Sequence, residues 1–70
     1  MGKTAKLLVV RADAVRVGDL LTFGEGWSPM RVTGVSQVDS TNNVTIWTKV
    51  DGAQTSWYIP RYHIVAVERA

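Results

Sequence analysis

The chain contains no cysteine. That excludes disulfides and thiolate metal sites, and it leaves the composition compatible with a reducing cytosol. A single histidine, His63, cannot supply the imidazole cluster a transition metal needs. Long apolar runs are missing too: stretches such as Leu7 to Val10 fall far short of the ~20 residues of a membrane helix. No apolar segment of a signal peptide follows Met1-Gly2-Lys3, and Lys6 stands where N-myristoylation favours Ser or Thr. These absences predict a cytoplasmic protein with no membrane partner, no metal and no cofactor. At 70 residues folding buries only roughly 60% of the surface of the extended chain. Stability without disulfide or metal then has two sources, a well-packed core or self-association as a homo-oligomer.

What is present is ordinary for a folded domain. Hydrophobic residues make up 46% of the chain, too many for intrinsic disorder. Eight Lys and Arg against six Asp and Glu give a net charge of +2. That balance permits nucleic-acid binding without demanding it, because phosphate-neutralising proteins usually show a clustered excess of cations. Here Lys3, Lys6, Arg11, Arg16, Arg31, Lys49, Arg61 and Arg69 are scattered along the sequence.

No repeat, linker or low-complexity tract divides residues 1–70, which read as one domain. Turn signals at Gly18-Asp19, Gly24 to Pro29, Asp39 to Asn43 and Asp51-Gly52 separate runs rich in Val, Ile, Thr and aromatics. Strands are expected near Lys6–Arg11, Leu20–Phe23, Met30–Val38, Val44–Val50, Thr55–Ile59 and Ile64–Arg69. Residues Ala12 to Val15 can make one helical turn. A longer helix from Lys3 to Val15 is the alternative, disfavoured by β-branched residues and Gly18. Asp51-Gly52 suits a hairpin. An even-numbered loop there puts Val44, Ile46, Val50, Trp57 and Ile59 on one face, and Thr45, Trp47, Lys49, Ser56 and Tyr58 on the other. Trp57 and Ile59 are then core. Pro60 ends its strand, and a short 3₁₀ turn near residues 60–63 precedes the last one. The predicted fold is all-β: a small SH3-like antiparallel barrel of five to six strands.

The stretch from Asp13 to Gly24 (DAVRVGDLLTFG) resembles the entry of many small barrels, in which a Val-Gly-Asp turn delivers an apolar strand. Translation-factor and Hint-type β modules have a similar entry. Hint modules also need a leading Cys or Ser nucleophile and further His-containing blocks, which this chain lacks. As a whole the chain resembles small SH3-like proteins encoded by actinobacterial phages. That resemblance implies an accessory or host-interaction protein.

Enzyme chemistry is not expected. Ser28 and Ser56 lack a nucleophile-elbow context, and His63 follows Pro60 in a turn. Asp13, Asp19 and Asp39 sit at turn signals, where carboxylates cap backbone N–H groups. Glu25 in Gly24-Glu25-Gly26 would repel a phosphate, so that stretch reads as a hairpin loop. Two features point to binding instead. Trp47, Lys49 and Tyr58 share the outward face, with Arg61 expected at its edge; Trp, Tyr and Arg commonly anchor interfaces. Trp27 lies in a Gly-flanked loop, either folded back as a lid or free as a loop-tip anchor. The first expectation is a non-catalytic module with a protein partner, favoured by the near-neutral charge. The second is nucleic-acid binding by stacking aromatics and interleaved Lys and Arg.

Overall fold

The computed structural model describes residues 6–24 and 26–69; the expectations placed on Met1–Lys3 and on Glu25 lie outside them. Strands β1 (Lys6–Arg11), β2 (Leu20–Thr22), β3 (Met30–Val35), β4 (Asn43–Val50), β5 (Ala53–Pro60) and β6 (Ile64–Arg69) form one sheet in the order β1-β6-β2-β3-β4-β5. Every neighbouring pair is antiparallel. The chain is all-β, and its only described helix is a 3₁₀ turn at Ala12–Ala14. None of the described helix is long or apolar enough to cross a membrane.

One expectation is met in part and another needs correction. The sheet is not closed: β1 and β5 are its edges, and no ladder joins them among the described residues. The 3₁₀ turn also sits elsewhere. Between β5 and β6 there is only one β-turn, in which the His63 N–H donates to the Pro60 carbonyl at 3.0 Å. β6 must pair with β1 from Ile64 onward, which leaves no room for a longer helical segment. The 3₁₀ turn forms at Ala12–Ala14, within the stretch where one helical turn was expected, and there the Ala12 and Asp13 N–H groups donate to the carbonyls of His63 and Arg61.

The inner face of the sheet follows a period of two, as a half-buried sheet requires. Val44, Ile46 and Thr48 of β4 are buried, as are Met30 and Val32 of β3 and Val65 and Val67 of β6. Leu21, Ala12 and Val15 complete the buried set, with Leu8, Val10, Phe23, Val35, Val38 and Ile59 packed around it. This single cluster joins residues of β6 to residues of β4. A lone sheet has nothing else to bury against, so it curls over its own inner face.

Asp51 and Gly52 both adopt positive φ, 50° and 82°. That is the two-residue I′ geometry whose twist matches a hairpin. It sets the register of β4 on β5, with Val44 opposite Ile59, Ile46 opposite Trp57 and Trp47 opposite Ser56. The expected division of the hairpin into two faces therefore holds.

One buried ion pair ties the chain's first third to its last strand. Asp19 is buried, and its carboxylate accepts from Arg69 Nε at 2.9 Å, Arg69 Nη2 at 2.8 Å and the Arg16 N–H at 2.9 Å. The Arg69 guanidinium, aided by the Arg16 N–H, holds the Asp19 carboxyl below the usual carboxylate value and more than offsets burial, which pushes the other way. Asp13 is lowered in the same sense by Arg11 and Arg61. A depressed carboxyl stabilises the fold fully above the unfolded value, about 3.9 for Asp. The contribution is lost as pH falls from there through the folded value. Thermal melts should therefore be flat from about pH 5 to 8 and drop below about pH 4. Asp19→Ala should cost on the order of 3 kcal/mol in a urea melt at neutral pH, as expected when one partner of a buried pair is removed.

Candidate outer-face binding surface

The five residues expected to form a binding surface fall into three places. Trp47, Lys49 and Tyr58 share the outer face of the β4–β5 hairpin, opposite Ser56, Gln54 and Thr45 respectively. Trp47 is half-buried while Lys49 is exposed, and 59% of Tyr58 is accessible.

Neither aromatic ring on this face is loose. Trp47 lies over Gly34, its partner on β3: a Cβ at Gly34 would stand 3.1 Å from Trp47 Cε3. The register shifts between Val32 and Gly34, so Thr33 is the extra residue of a β-bulge. The bulge turns Gly34 outward beneath the indole and returns Val35 to the core side. Tyr58 donates its hydroxyl to Asp39 Oδ2 and lies 2.8 Å from Thr41 Oγ1. The other oxygen of Asp39 accepts from Thr41 Oγ1 at 2.6 Å, the Thr41 N–H at 2.9 Å and the Asn43 N–H at 3.0 Å. Led by the Thr41 hydroxyl and then Tyr58, these donors hold the Asp39 carboxyl far below the usual carboxylate range. The turn before β4 and the ring on β5 thus fix each other.

Arg61 is not on this face. Its Nε donates to Asp13 Oδ2 at 3.1 Å, and its guanidinium lies 5.2 Å from the centroid of Tyr62. Arg11 completes the cluster, bonding to both oxygens of Asp13 and lying 4.9 Å from the same ring. Asp13, a caps-and-turns residue in the sequence, therefore gathers two arginines around an exposed tyrosine.

Trp27 folds back rather than standing free. Its ring meets Phe23 and Trp57 edge-on, each at 5.8 Å, while Phe23 and Trp57 are 4.9 Å apart. This triad lies on the inner side, with Trp57 opposite Ile46, and Trp27 keeps 51% of its surface accessible. Trp57 itself faces the core side as expected but is only half-buried, because β5 is an edge strand. Its indole N–H donates to the buried Thr48 hydroxyl at 2.9 Å.

One cation of the outer face is brought there by strand pairing alone. Arg31 on β3 stands directly opposite Lys49 on β4, and both are exposed. Neither takes part in an ion pair among the described residues. Also unanticipated is an apolar outer strip on the β1–β6 edge, where Leu7, Val9 and Ile64 are exposed. Alternation within KLLVVR and IVAVER carried that signal, since both parities of these strands are apolar. No group of three or more His, Asp or Glu suited to hold a metal ion occurs among the described residues.

No protein-family model, curated protein or solved structure matches the chain. The surface must be read from its own geometry.

The two tryptophans of the hairpin should separate in a urea melt. Trp57→Ala is expected to cost about 3 kcal/mol, the low end for a large aromatic, because its ring is only half covered. Trp47→Ala should leave a folded protein and cost about 1 kcal/mol. A larger loss for Trp47 than for Trp57 would reverse the assignment of inner and outer faces.

Proposed function

We propose that the chain is a non-catalytic binding module of the cytoplasm, working through the outer face of β3, β4 and β5. One observation carries this reading. Trp47 and Tyr58 both point away from the core, yet both are held in place, the first over Gly34 and the second by Asp39 and Thr41. Rings already fixed in position lose little conformational freedom on binding, which is how an aromatic pair contributes affinity.

A variant of the SH3-like barrel is the fold proposed beneath that face. The last strand inserted between the first two, the curled core and the tight turn before β6 favour it. The likeness to small phage-encoded barrels belongs to the same proposal, and it fits an accessory protein that captures another macromolecule. Lys49 supplies the face with a cation at its rim. Trp27 is a neighbour of Phe23 and Trp57 on the inner side and is assigned to covering the core.

The test is a Trp47→Ala/Tyr58→Ala double variant, shown to be folded by circular dichroism. It is compared with the parent for retention of proteins from a bacterial lysate and of single- and double-stranded oligonucleotides. The double variant should lose the interactions of the parent. Retention of all of them would overturn the assignment of this face.

A further inference from the structure

We infer that the outer face of β3, β4 and β5 takes single-stranded nucleic acid, with Arg31 and Lys49 receiving phosphate and Trp47 and Tyr58 receiving bases. The inference rests on the binding-module reading above and names the partner of that face. A net charge of +2 understates how the charges are arranged. Arg11, Arg61 and Arg69 are tied to Asp13 and Asp19, so their charge is largely neutralised in place. Arg31 and Lys49, by contrast, stand side by side across one rung of the ladder with no acidic partner among the described residues. Like charges directly opposite each other destabilise a sheet, and an anion placed between them relieves that repulsion.

The remaining features of the face point to the same ligand. Two residues along β4 from Lys49 lies Trp47, and Tyr58 is its diagonal neighbour on β5, at a separation of roughly 7–8 Å. The strip therefore runs from a cation pair to one aromatic ring and then to another. Bases stack on such rings with little regard to sequence, while lysine and arginine follow the backbone. Thr45, Ser56 and Gln54 lie between and beside the rings, giving the face hydroxyl and amide groups. Asp39, held ionised at the Tyr58 end, repels phosphate there, so the phosphates must lie toward Arg31 and Lys49. A base-paired duplex hides its base faces, and the two rings then have nothing to stack against.

The experiment is a titration of the whole chain against a roughly 12-nucleotide oligo(dT), followed by fluorescence anisotropy and by quenching of tryptophan emission. Two phosphate contacts predict a slope of log K against log salt of about −1.4, or about a sevenfold loss between about 50 and 200 mM salt. Arg31→Ser or Lys49→Ser should each halve that slope to about −0.7. The Trp47→Ala/Tyr58→Ala double variant should weaken binding at least about tenfold, and a duplex of the same length should bind more weakly than the single strand. Absence of binding by the folded parent at about 50 mM salt would overturn the nucleic-acid assignment. If the double variant then still loses a protein that the parent retains, the face remains a binding surface with a protein partner. If the parent binds oligo(dT) and neither the serine variants nor the double variant changes affinity or slope, the face itself is wrongly assigned. Equal binding of the duplex would remove stacking from the account.

Discussion

The fork between Arg69 and Asp19 is the constraint on which the rest of the structure depends. Asp19 closes the Val-Gly-Asp turn that delivers β2, and Arg69 ends β6. β6, the last strand in sequence, lies between β1 and β2, while β2 to β5 follow one another as a meander. A bidentate pair at its end, extended by the bond from Arg69 Nη2 to the Ala14 carbonyl at 3.2 Å, fixes that insertion in register. The same chemistry shapes the outer surface. Carboxylates inside or near the turns take up three of the eight Lys and Arg residues, and that distribution leaves the cations of β3 and β4 facing water.

Much of the architecture was legible in the sequence because local rules determine it. The alternation in Val44 to Val50, with Asp51-Gly52 behind it, sets which side chains face inward without reference to any distant residue. The start of β3 at Met30 follows from the loop before it in the same way. The end of β3 was less accessible. The strand pattern reads on to Val38, yet the ladder stops at Val35, since beyond it the Ser36 hydroxyl takes the Thr45 N–H at 2.8 Å. The bulge at Thr33 was likewise unread, although a glycine inside a strand is its usual mark. Closure of the sheet into a barrel was expected from element count and turn spacing, neither of which fixes how two edges meet.

The candidate surface divides along the same line. Trp47, Lys49 and Tyr58 were placed together by strand parity alone, and the hairpin register puts them there. Arg61 was assigned to them by nearness in sequence, but its guanidinium is drawn to Asp13, 48 residues away, an attraction no local pattern encodes. Arg31 was missed for the opposite reason: its place opposite Lys49 depends on the pairing of β3 with β4, which a long loop and a bulge leave unspecified. Trp57 was expected in the core from its parity. Its position on an edge strand leaves it half-buried and makes the loop aromatics Phe23 and Trp27 part of the core's cover.

The pairing of β1 with β6 sets Lys6 directly beside Arg69 at one corner of the sheet, about one strand spacing (~5 Å) apart. The proposed surface on β3 and β4 belongs to the other half of the sheet. A unit with this geometry can be carried within a surface loop of another protein, or strung in tandem, with little distortion of its host.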